Sequence, residues 1–400
     1  MSFLRQSFAV ALRLIVVGAC CLGIWYSWNL ARADYLFKLD NEESIRSAIQ
    51  LVPDNWQYYL RLAQLDREHS EQLLTTALEL DRYSAQTNIE LGLQYEADGD
   101  YGRAEKLLLN AFEVDRTYLP RASLANFYFR RDNMPAFWDW ARKAAQMPAV
   151  EIGPLLNLCW RVSPDPAKIT AAIANDNPIF LRQYIAFLMT KNQLPAASSL
   201  AARLIPVDDP AYDRPLMISL VNQLVSANDG AAASSLWRLL IAKNWLAGDA
   251  TVPNNAHFAR DPIAISFDWL LPENPGLHSW PGPSGLDAEF TGEQPESCPV
   301  AEQSLALPPG NYTFAYSYHT TDIPANSGLH WQIVDAKSDA VLADSPSLSS
   351  DAPVQSQIEF TVPPDASVLR LRLVYQRAIG TTRIAGTLMV VSTQIKAHSQ

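Results

Sequence analysis

The sequence of 400 residues lacks both a cysteine framework and a clustered excess of basic residues. Of its four cysteines, Cys20 and Cys21 lie together in an apolar run, while Cys159 and Cys298 are far apart. This spacing predicts neither a disulfide framework nor a metal site. The formal net charge of -11 argues against nucleic-acid binding, because neutralising phosphates usually requires a basic face. We therefore expect no metal, no cofactor and no nucleic-acid partner.

Short motifs of the common enzyme classes are also absent. The sequence contains no Gly-x-Ser-x-Gly, no His-Glu-x-x-His, and neither of the glycine patterns that bind nucleotides. Asp287 and Glu289 are carboxylates of the kind that cleaves glycosidic bonds. On one face of a strand, however, they are typical of a solvated edge. We assign no catalytic residue and expect that the chain is not an enzyme.

Composition changes near residue 250. Most of the net negative charge follows this point, because acidic residues outnumber basic ones there about two to one. More than half of the 27 prolines also follow it. The segment AGDATVPNNAHFARDP is polar and rich in turn-forming residues. It predicts a linker at 248–262 between two parts of different structure.

The amino-terminal region has one long apolar run. Residues 14–30 contain no charged side chain, and these roughly seventeen residues approach the minimum for crossing a bilayer core. Trp25, Tyr26 and Trp28 stand at the far end, where aromatic rings favour the membrane interface. We predict a cytoplasmic segment at 1–13 and a single transmembrane signal anchor at 14–30. The bulk of the chain would then lie on the periplasmic side of the inner membrane.

Other fates of this segment remain open. Ala31-Arg32-Ala33 fits the small-x-small pattern of a signal-peptidase site, and Val17-Gly18-Ala19-Cys20 resembles a lipobox. Basic residues are balanced on the two sides of the run, so they decide the orientation only weakly. A tail that faces the cytoplasm is the alternative.

A helical period recurs in LGLQYEADGDYGRAEKLLLNAFEVD, residues 91–115, with Gly99-Asp100 at a turn between two helices. This stretch resembles the tetratricopeptide repeat (TPR), a helix-turn-helix unit of about 34 residues. The matching positions are Leu91, Gly92, Tyr95, Gly99, Asp100, Tyr101, Ala104 and Ala111. Small residues in this set allow helices to cross closely, and the larger ones fill the gaps. One such unit cannot bury its own faces, so the pattern predicts neighbouring units.

Weaker copies of this pattern flank the stretch. We predict TPR units over 34–151 and degenerate repeats of the same kind over 152–247, with a separate helical bundle as the alternative for the second range. ESIRSAIQLVPDN is interpreted as the second helix of a truncated first unit that ends at Pro53.

The resemblance implies a groove, lined by the first helices, that holds a peptide segment of a partner protein. The matching positions are Gln86, Ile89, Leu93, Glu96, Leu119, Ala122, Asn126 and Arg130. Asn126 and Arg130 stand one helical turn apart, where an amide and a guanidinium can together hold a carboxylate or a peptide backbone. The alternative is that both side chains are merely solvated.

After Pro262 the period changes to alternation, with short segments separated by Pro, Gly, Ser and Asp. This predicts a β-sandwich over 263–400, with Tyr312 and Phe314 in its core. The layout resembles jelly-roll domains of the galactose-binding or carbohydrate-binding-module kind, on Phe267-Asp268-Trp269 and the turn from Leu307 to Tyr312. Sugar recognition combines aromatic platforms with planar polar groups. The candidates are Trp280, Tyr316, Tyr318, His319, Trp331, Arg370 and Arg372.

The predicted fold class is therefore a transmembrane helix, an α-solenoid of TPR-like hairpins and a carboxy-terminal β-sandwich. The leading functional hypothesis is a membrane-anchored scaffold that binds a protein partner through the TPR groove. The resemblance alone implies an accessory role in cell-envelope or exopolysaccharide machinery. The second hypothesis is glycan binding by the β-sandwich, with a polysaccharide as partner, and the third is a polysaccharide-active enzyme.

Overall fold

The computed structural model describes residues 2–147, 151–206, 210–248, 251–263 and 265–398. Residues 1, 148–150, 207–209, 249–250, 264 and 399–400, which fall within predicted segments, lie outside the described residues. In the described part, fourteen helices are followed by nine strands. The chain forms two compact units, Met1–Pro164 with Lys168–Asn175, and Asp165–Ala167 with Asp176–Gln400. The predicted fold class, helical repeats followed by an antiparallel β-sandwich, is confirmed.

The helices of the first unit pair consecutively as hairpins over most of its length. They are α1 (Ser2–Lys38), α2 (Glu42–Leu51), α3 (Trp56–Leu65), α4 (Ser70–Leu80), α5 (Ala85–Ala97), α6 (Tyr101–Val114), α7 (Tyr118–Arg130), α8 (Met134–Ala145), α9 (Gly153–Val162) and α10 (Pro166–Ile173).

The hairpin of α5 and α6 shows why this sequence folds as a repeat. Ser84 and Asp100 cap the two helices by accepting hydrogen bonds from the backbone amides of Thr87 and Arg103. At the crossing, a Cβ atom added to Gly92 would lie 3.2 Å from Leu108 Cγ and 3.3 Å from the backbone oxygen of Ala104. The helices therefore approach each other at a distance that a larger side chain would prevent.

Helix α1 combines a long apolar segment with an end that packs into the first hairpin. Residues Arg13–Lys38 are long and apolar enough to span a bilayer, with a mean hydropathy of 1.6 over an 18-residue stretch, and a signal sequence passes the same test. The end of this helix packs against α2 and α3. Ala33 is fully buried, and the rings of Phe37 and Tyr58 lie 4.9 Å apart. The first hairpin is therefore complete and not truncated, because the end of α1 supplies its first helix.

The second unit combines two helical hairpins with the β-sandwich. Its helices are α11 (Pro178–Thr190), α12 (Leu194–Leu204), α13 (Pro210–Ser226) and α14 (Gly230–Ala242). Its strands are β1 (Leu277–Gly282), β2 (Gly285–Thr291), β3 (Ser297–Leu305), β4 (Gly310–Thr321), β5 (Leu329–Asp335), β6 (Val341–Asp344), β7 (Val354–Val362), β8 (Leu369–Gln376) and β9 (Ala385–Ala397). Antiparallel pairing gives a five-stranded sheet in the order β1-β2-β9-β4-β7 and a four-stranded sheet in the order β3-β8-β5-β6.

The core of the sandwich is aromatic. Tyr312 and Phe314 are buried in it, as the sequence predicts. The ring centroids of Phe314 and Trp331 are 5.2 Å apart in an edge-to-face arrangement, and Trp269 lies 6.0 Å from Trp331 on its other side. Alternation along each strand directs the remaining side chains outwards.

Residues 251–263 form a covering layer of the sandwich and not the expected linker. The backbone amides of Ile395 and Thr393 on β9 donate hydrogen bonds to the carbonyl oxygens of Val252 and Ala256. Asn254 is buried, and its side-chain amide donates to Asp268 at 3.2 Å. These polar side chains find their partners inside the unit.

The helices of the second unit also pack on the sandwich. The backbone amide of Gly230, at the start of α14, donates to Ser367 Oγ at 2.9 Å. Asn228 accepts a hydrogen bond from the backbone amide of Val368 at 3.1 Å, and Asn222 accepts one from Ser266 Oγ at 2.7 Å. A Cβ atom added to Gly230 would lie 2.0 Å from the backbone oxygen of Ser367.

Replacing this glycine tests the packing of α14 on the sandwich. Gly230→Ala should lower the free energy of unfolding by about 1–3 kcal/mol, because the added methyl group meets backbone that must shift. Thermal unfolding of the full chain, followed by circular dichroism, measures the change. Gly102→Ala is the matched control, since its Cβ would meet only the end of the Asp100 side chain at 3.9 Å. Equal unfolding temperatures for the two variants would contradict the packing described here.

Candidate functional site

A cleft runs between α3 and α5 in the first unit. Its volume is about 530 Å³. The side chains that define it are mostly polar and include Arg61, Gln64, Arg67, Glu90, Leu93 and Gln94. A smaller cleft of about 240 Å³ adjoins it through Arg61 and Gln64 and reaches Phe37 at the end of α1.

Polar bonds connect the first helices along this face. Arg61 donates two hydrogen bonds to the carboxylate of Asp40, each 2.6 Å long, and this interaction lowers the pKa of Asp40. A further donor of Arg61 lies 2.7 Å from Gln64 Oε1, and Gln64 Nε2 in turn donates to Glu90 at 3.3 Å. This ladder fixes the side chains of α3 relative to those of α5.

Arg130 on α7 forms a forked ion pair with Glu96 on α5. Its Nε donates to Oε1 at 2.6 Å, and its Nη2 donates to Oε2. We expected Asn126 and Arg130 to hold a carboxylate of a ligand together. This expectation is corrected, because the guanidinium of Arg130 already binds the carboxylate of Glu96. Asn126 itself is exposed.

The other predicted groove residues divide by burial. Gln86 and Leu93 are exposed and line the clefts, and Leu119 is 54% exposed. Ala122 is half-buried. The prediction that Ile89 lines the groove is wrong, because this side chain is only 6% exposed and packs inside the repeat.

Sequence reasoning missed the α3 side of the cleft, where Gln64 and Arg67 lie. Helix α3 has ten residues and α5 has thirteen, which shifts the repeat register, so the TPR pattern does not indicate the matching positions on α3. Arg67 is exposed on the rim and, within the described residues, makes no ion pair. The polar residues at the end of α3 were the available signal.

The sandwich carries a second candidate site on the outer face of its five-stranded sheet. The strand register places Trp280, Asp287, Met389 and His319 in one row across β1, β2, β9 and β4. Trp280 is 43% exposed and borders a cleft of about 720 Å³ that is formed with residues 271–275. Burial raises the pKa of Asp287, and the charge of His319 opposes this effect. Nδ1 of His319 is buried without a hydrogen-bond partner in the described part of the chain.

Further along the same face lies a polar cleft of about 470 Å³. Its side chains are hydroxyls, amides and one ammonium group, from Ser317, Gln355, Gln357, Ser392, Gln394 and Lys396. The hydroxyls of Ser317 and Ser392 are 2.8 Å apart and bond to each other. Neutral donors and acceptors of this kind suit a ligand rich in hydroxyl groups.

The structure brings together only part of the predicted glycan-binding set. Trp331 is fully buried and Tyr318 is 7% exposed, so neither presents a ring face to a sugar. Tyr316 is also buried, at 3% exposed. These three expectations are corrected, because their strand positions face the sandwich core.

Arg370 and Arg372 lie on β8 of the four-stranded sheet, away from Trp280 and His319. Arg372 Nε donates to Glu302 at 2.9 Å, and Arg370 pairs with Asp339. Their guanidinium groups therefore stabilise the other sheet, and they do not join Trp280 and His319 in one site.

No family model matches the sequence, and no curated protein matches it at a significant level. Solved structures do resemble parts of it. The TPR protein YrrB, described as having an unusual peptide-binding site, has 14% identity and a TM-score of 0.25, over 51% of this chain and 93% of its own. PilW, a type IV pilus biogenesis factor, has 14% identity and a TM-score of 0.27, over 54% of this chain and 92% of its own.

The β-sandwich is similar to a CBM4 structure, with 11% identity and a TM-score of 0.30, over 36% of this chain and 99% of the other. These likenesses agree with the two folds seen here, TPR-like hairpins and a CBM-like sandwich. At such identities these likenesses concern the fold alone.

Proposed function

We propose that this chain is a membrane-anchored scaffold that binds an extended segment of a partner protein in the cleft between α3 and α5. The observation that carries the proposal is the cleft itself, in which Leu93 is 38% exposed among polar side chains that the helices hold in place. Arrays of helical hairpins present such inner faces as extended binding surfaces. The proposal includes no catalytic step.

The chemistry of the cleft suits an extended peptide. Beyond its bonds to Arg61 and Glu90, the amide of Gln64 keeps a second N–H and a second lone pair, with which it can donate to and accept from a peptide backbone. Leu93 and Ala97 provide apolar contact, and Arg67 provides a cation for an acidic side chain. We propose that the partner belongs to cell-envelope or exopolysaccharide machinery, as the resemblance to the repeat family implies.

We further propose that α1 is retained as the anchor, with the bulk of the chain on the extracytoplasmic side of the inner membrane. Trp25 and Trp28 are 62% and 69% exposed, as expected of a helix whose neighbours are lipids. Ala33 is fully buried in the first hairpin. Cleavage after Ala33 would separate this residue from the helix end that completes the hairpin, which favours an uncleaved anchor over a signal peptide.

If α1 is an uncleaved anchor, the protein in the membrane fraction should still carry its amino-terminal residues. Peptide mapping of the protein from alkali-washed membranes should recover peptides from residues 2–33, and a reporter fused to the carboxy terminus should be active outside the cytoplasm. A mature chain that begins at Asp34 or at Cys20 would contradict the retained anchor. A reporter active only in the cytoplasm would contradict the orientation.

The cleft is tested by a charge placed at its apolar position. Leu93→Glu should reduce recovery of the partner by at least about tenfold in pull-downs from crosslinked membranes, because binding would bury an unpaired carboxylate. Leu109→Glu on α6 is the matched control, since Leu109 is 37% exposed but lines neither of the two clefts. Equal recovery with both variants, each folded by circular dichroism, would rule out this cleft as the binding surface.

Glycan binding by the sandwich is the second candidate function. The observation that favours it is the single outer face that carries exposed Trp280, His319 with its unpaired Nδ1, and the cleft of amides and hydroxyls. An indole face stacks on the apolar face of a sugar ring, while amides and hydroxyls bond its hydroxyl groups.

Truncating the indole tests this second candidate. Trp280→Ala should abolish retardation of the full chain in affinity electrophoresis through gels that contain envelope polysaccharide, whereas Trp280→Phe should retain part of it. Ile379→Ala is the control, because Ile379 is fully exposed elsewhere in the same unit. Equal retardation of Trp280→Ala and the unmodified chain would refute a role for this face. Release of reducing ends from the polysaccharide would instead favour a polysaccharide-active enzyme.

A further inference from the structure

A further cavity, which neither proposed site uses, lies inside the second unit between α14 and the sandwich. Its volume is about 280 Å³. One wall comes from α14, a second from residues 251–254, and a third from the end of β3 with residues 306–308. This volume is close to the lower end of the range for small-molecule sites, roughly 300 Å³, and suits a ligand of one or two rings.

Aromatic side chains form much of the wall. Trp237 and Phe267 are 5% and 6% exposed, and their ring centroids lie 6.0 Å apart. Leu305 and Leu307 add aliphatic surface at the end of β3. A planar apolar group that entered the cavity would lose its contact with water against these side chains.

Two side chains that border the cavity differ in their partners. Gln303 Oε1 accepts from the backbone amide of Asn254 at 2.8 Å, and Gln303 Nε2 donates to the backbone oxygen of Asn254 at 3.0 Å. Arg238 is exposed, and its Nε donates to the backbone oxygen of Ser234 at 3.3 Å. Its two Nη groups make no ion pair with any described residue, and none of the described residues around the cavity is Asp or Glu.

An unneutralised guanidinium at the edge of an aromatic cavity selects for negative charge. Guanidinium groups bind carboxylates with two parallel hydrogen bonds, and such bonds are stronger beside apolar surface than in open water. The apolar walls and the cation together define an amphipathic ligand.

We propose that this cavity binds a small aromatic carboxylate, with its rings against Trp237 and Phe267 and its carboxylate on Arg238. The site is independent of both proposed functions, because it shares no residue with the cleft of the first unit or with the outer face of the five-stranded sheet. Occupancy would attach α14 more firmly to the sandwich.

Photocrosslinking with 4-benzoylbenzoate tests the site in the full chain, reconstituted in lipid nanodiscs. The matched neutral probe is 4-(hydroxymethyl)benzophenone, which keeps the rings and lacks the charge. Mass spectrometry should map the carboxylate probe to α14 or to residues 303–308. Arg238→Gln should raise the half-saturating concentration of the carboxylate about tenfold and leave that of the alcohol unchanged, because only a charge-assisted hydrogen bond is lost. Arg203→Gln, on α12, is the control and should change neither.

A second variant separates a filled cavity from a lost charge. Ala306→Trp, which places an indole in the cavity, should reduce labelling by both probes while circular dichroism remains unchanged. Three results would overturn the proposal. The label could map elsewhere in the chain, the two probes could label equally at equal concentration, or Arg238→Gln could leave the labelling unaltered. If Ala306→Trp fails to fold, Ser234→Trp, at a half-buried position of α14 that lines the cavity, provides the same test.

Discussion

The first unit depends on a close crossing of helices that only small side chains permit. At Gly92 the neighbouring helix leaves no room for a Cβ atom without displacing Leu108 or the backbone near Ala104. Ala104 and Ala111 are completely buried on the opposing helix. Because each hairpin still has an apolar face uncovered, the next hairpin must pack against it, and the first helices come to lie side by side. The polar ladder and the cleft between α3 and α5 follow from that arrangement.

The sequence predicted the parts of the molecule in which local pattern and tertiary packing agree. Between residues 85 and 115 the caps, the turn and the small residues all indicate the same hairpin, and the structure contains it. One repeat upstream the first helix, α3, has only ten residues, so the repeat positions fall out of register and do not predict Gln64 and Arg67 as cleft residues. The first helix of the first hairpin was missed for another reason. It is the end of a helix whose apolar composition already predicted a membrane span.

In the sandwich, alternation showed that each strand has two faces, but it did not show which face meets the core. Trp280 and Trp331 are the same residue type with opposite fates. Register pairs Trp331 with Leu373 inside the sandwich, whereas Trp280 pairs with Asp287 on the outer face. Residues 251–263 present a similar difficulty, because composition counts polar groups without revealing whether they are paired. Asn254 finds partners in Gln303 and Asp268, and this pairing makes a polar segment part of a folded unit.

The continuity of α1 has a consequence for the encounter with a partner. A helix rises about 1.5 Å per residue, so Phe37, which lines the smaller cleft, stands only about 14 Å along the axis from Trp28. With the aromatic residues at the lipid surface, as proposed, the cleft opens within the thin layer of solvent next to the bilayer. A partner tethered to the same membrane would be concentrated in that layer, so modest intrinsic affinity would suffice for lasting association. A freely diffusing protein would lack this advantage.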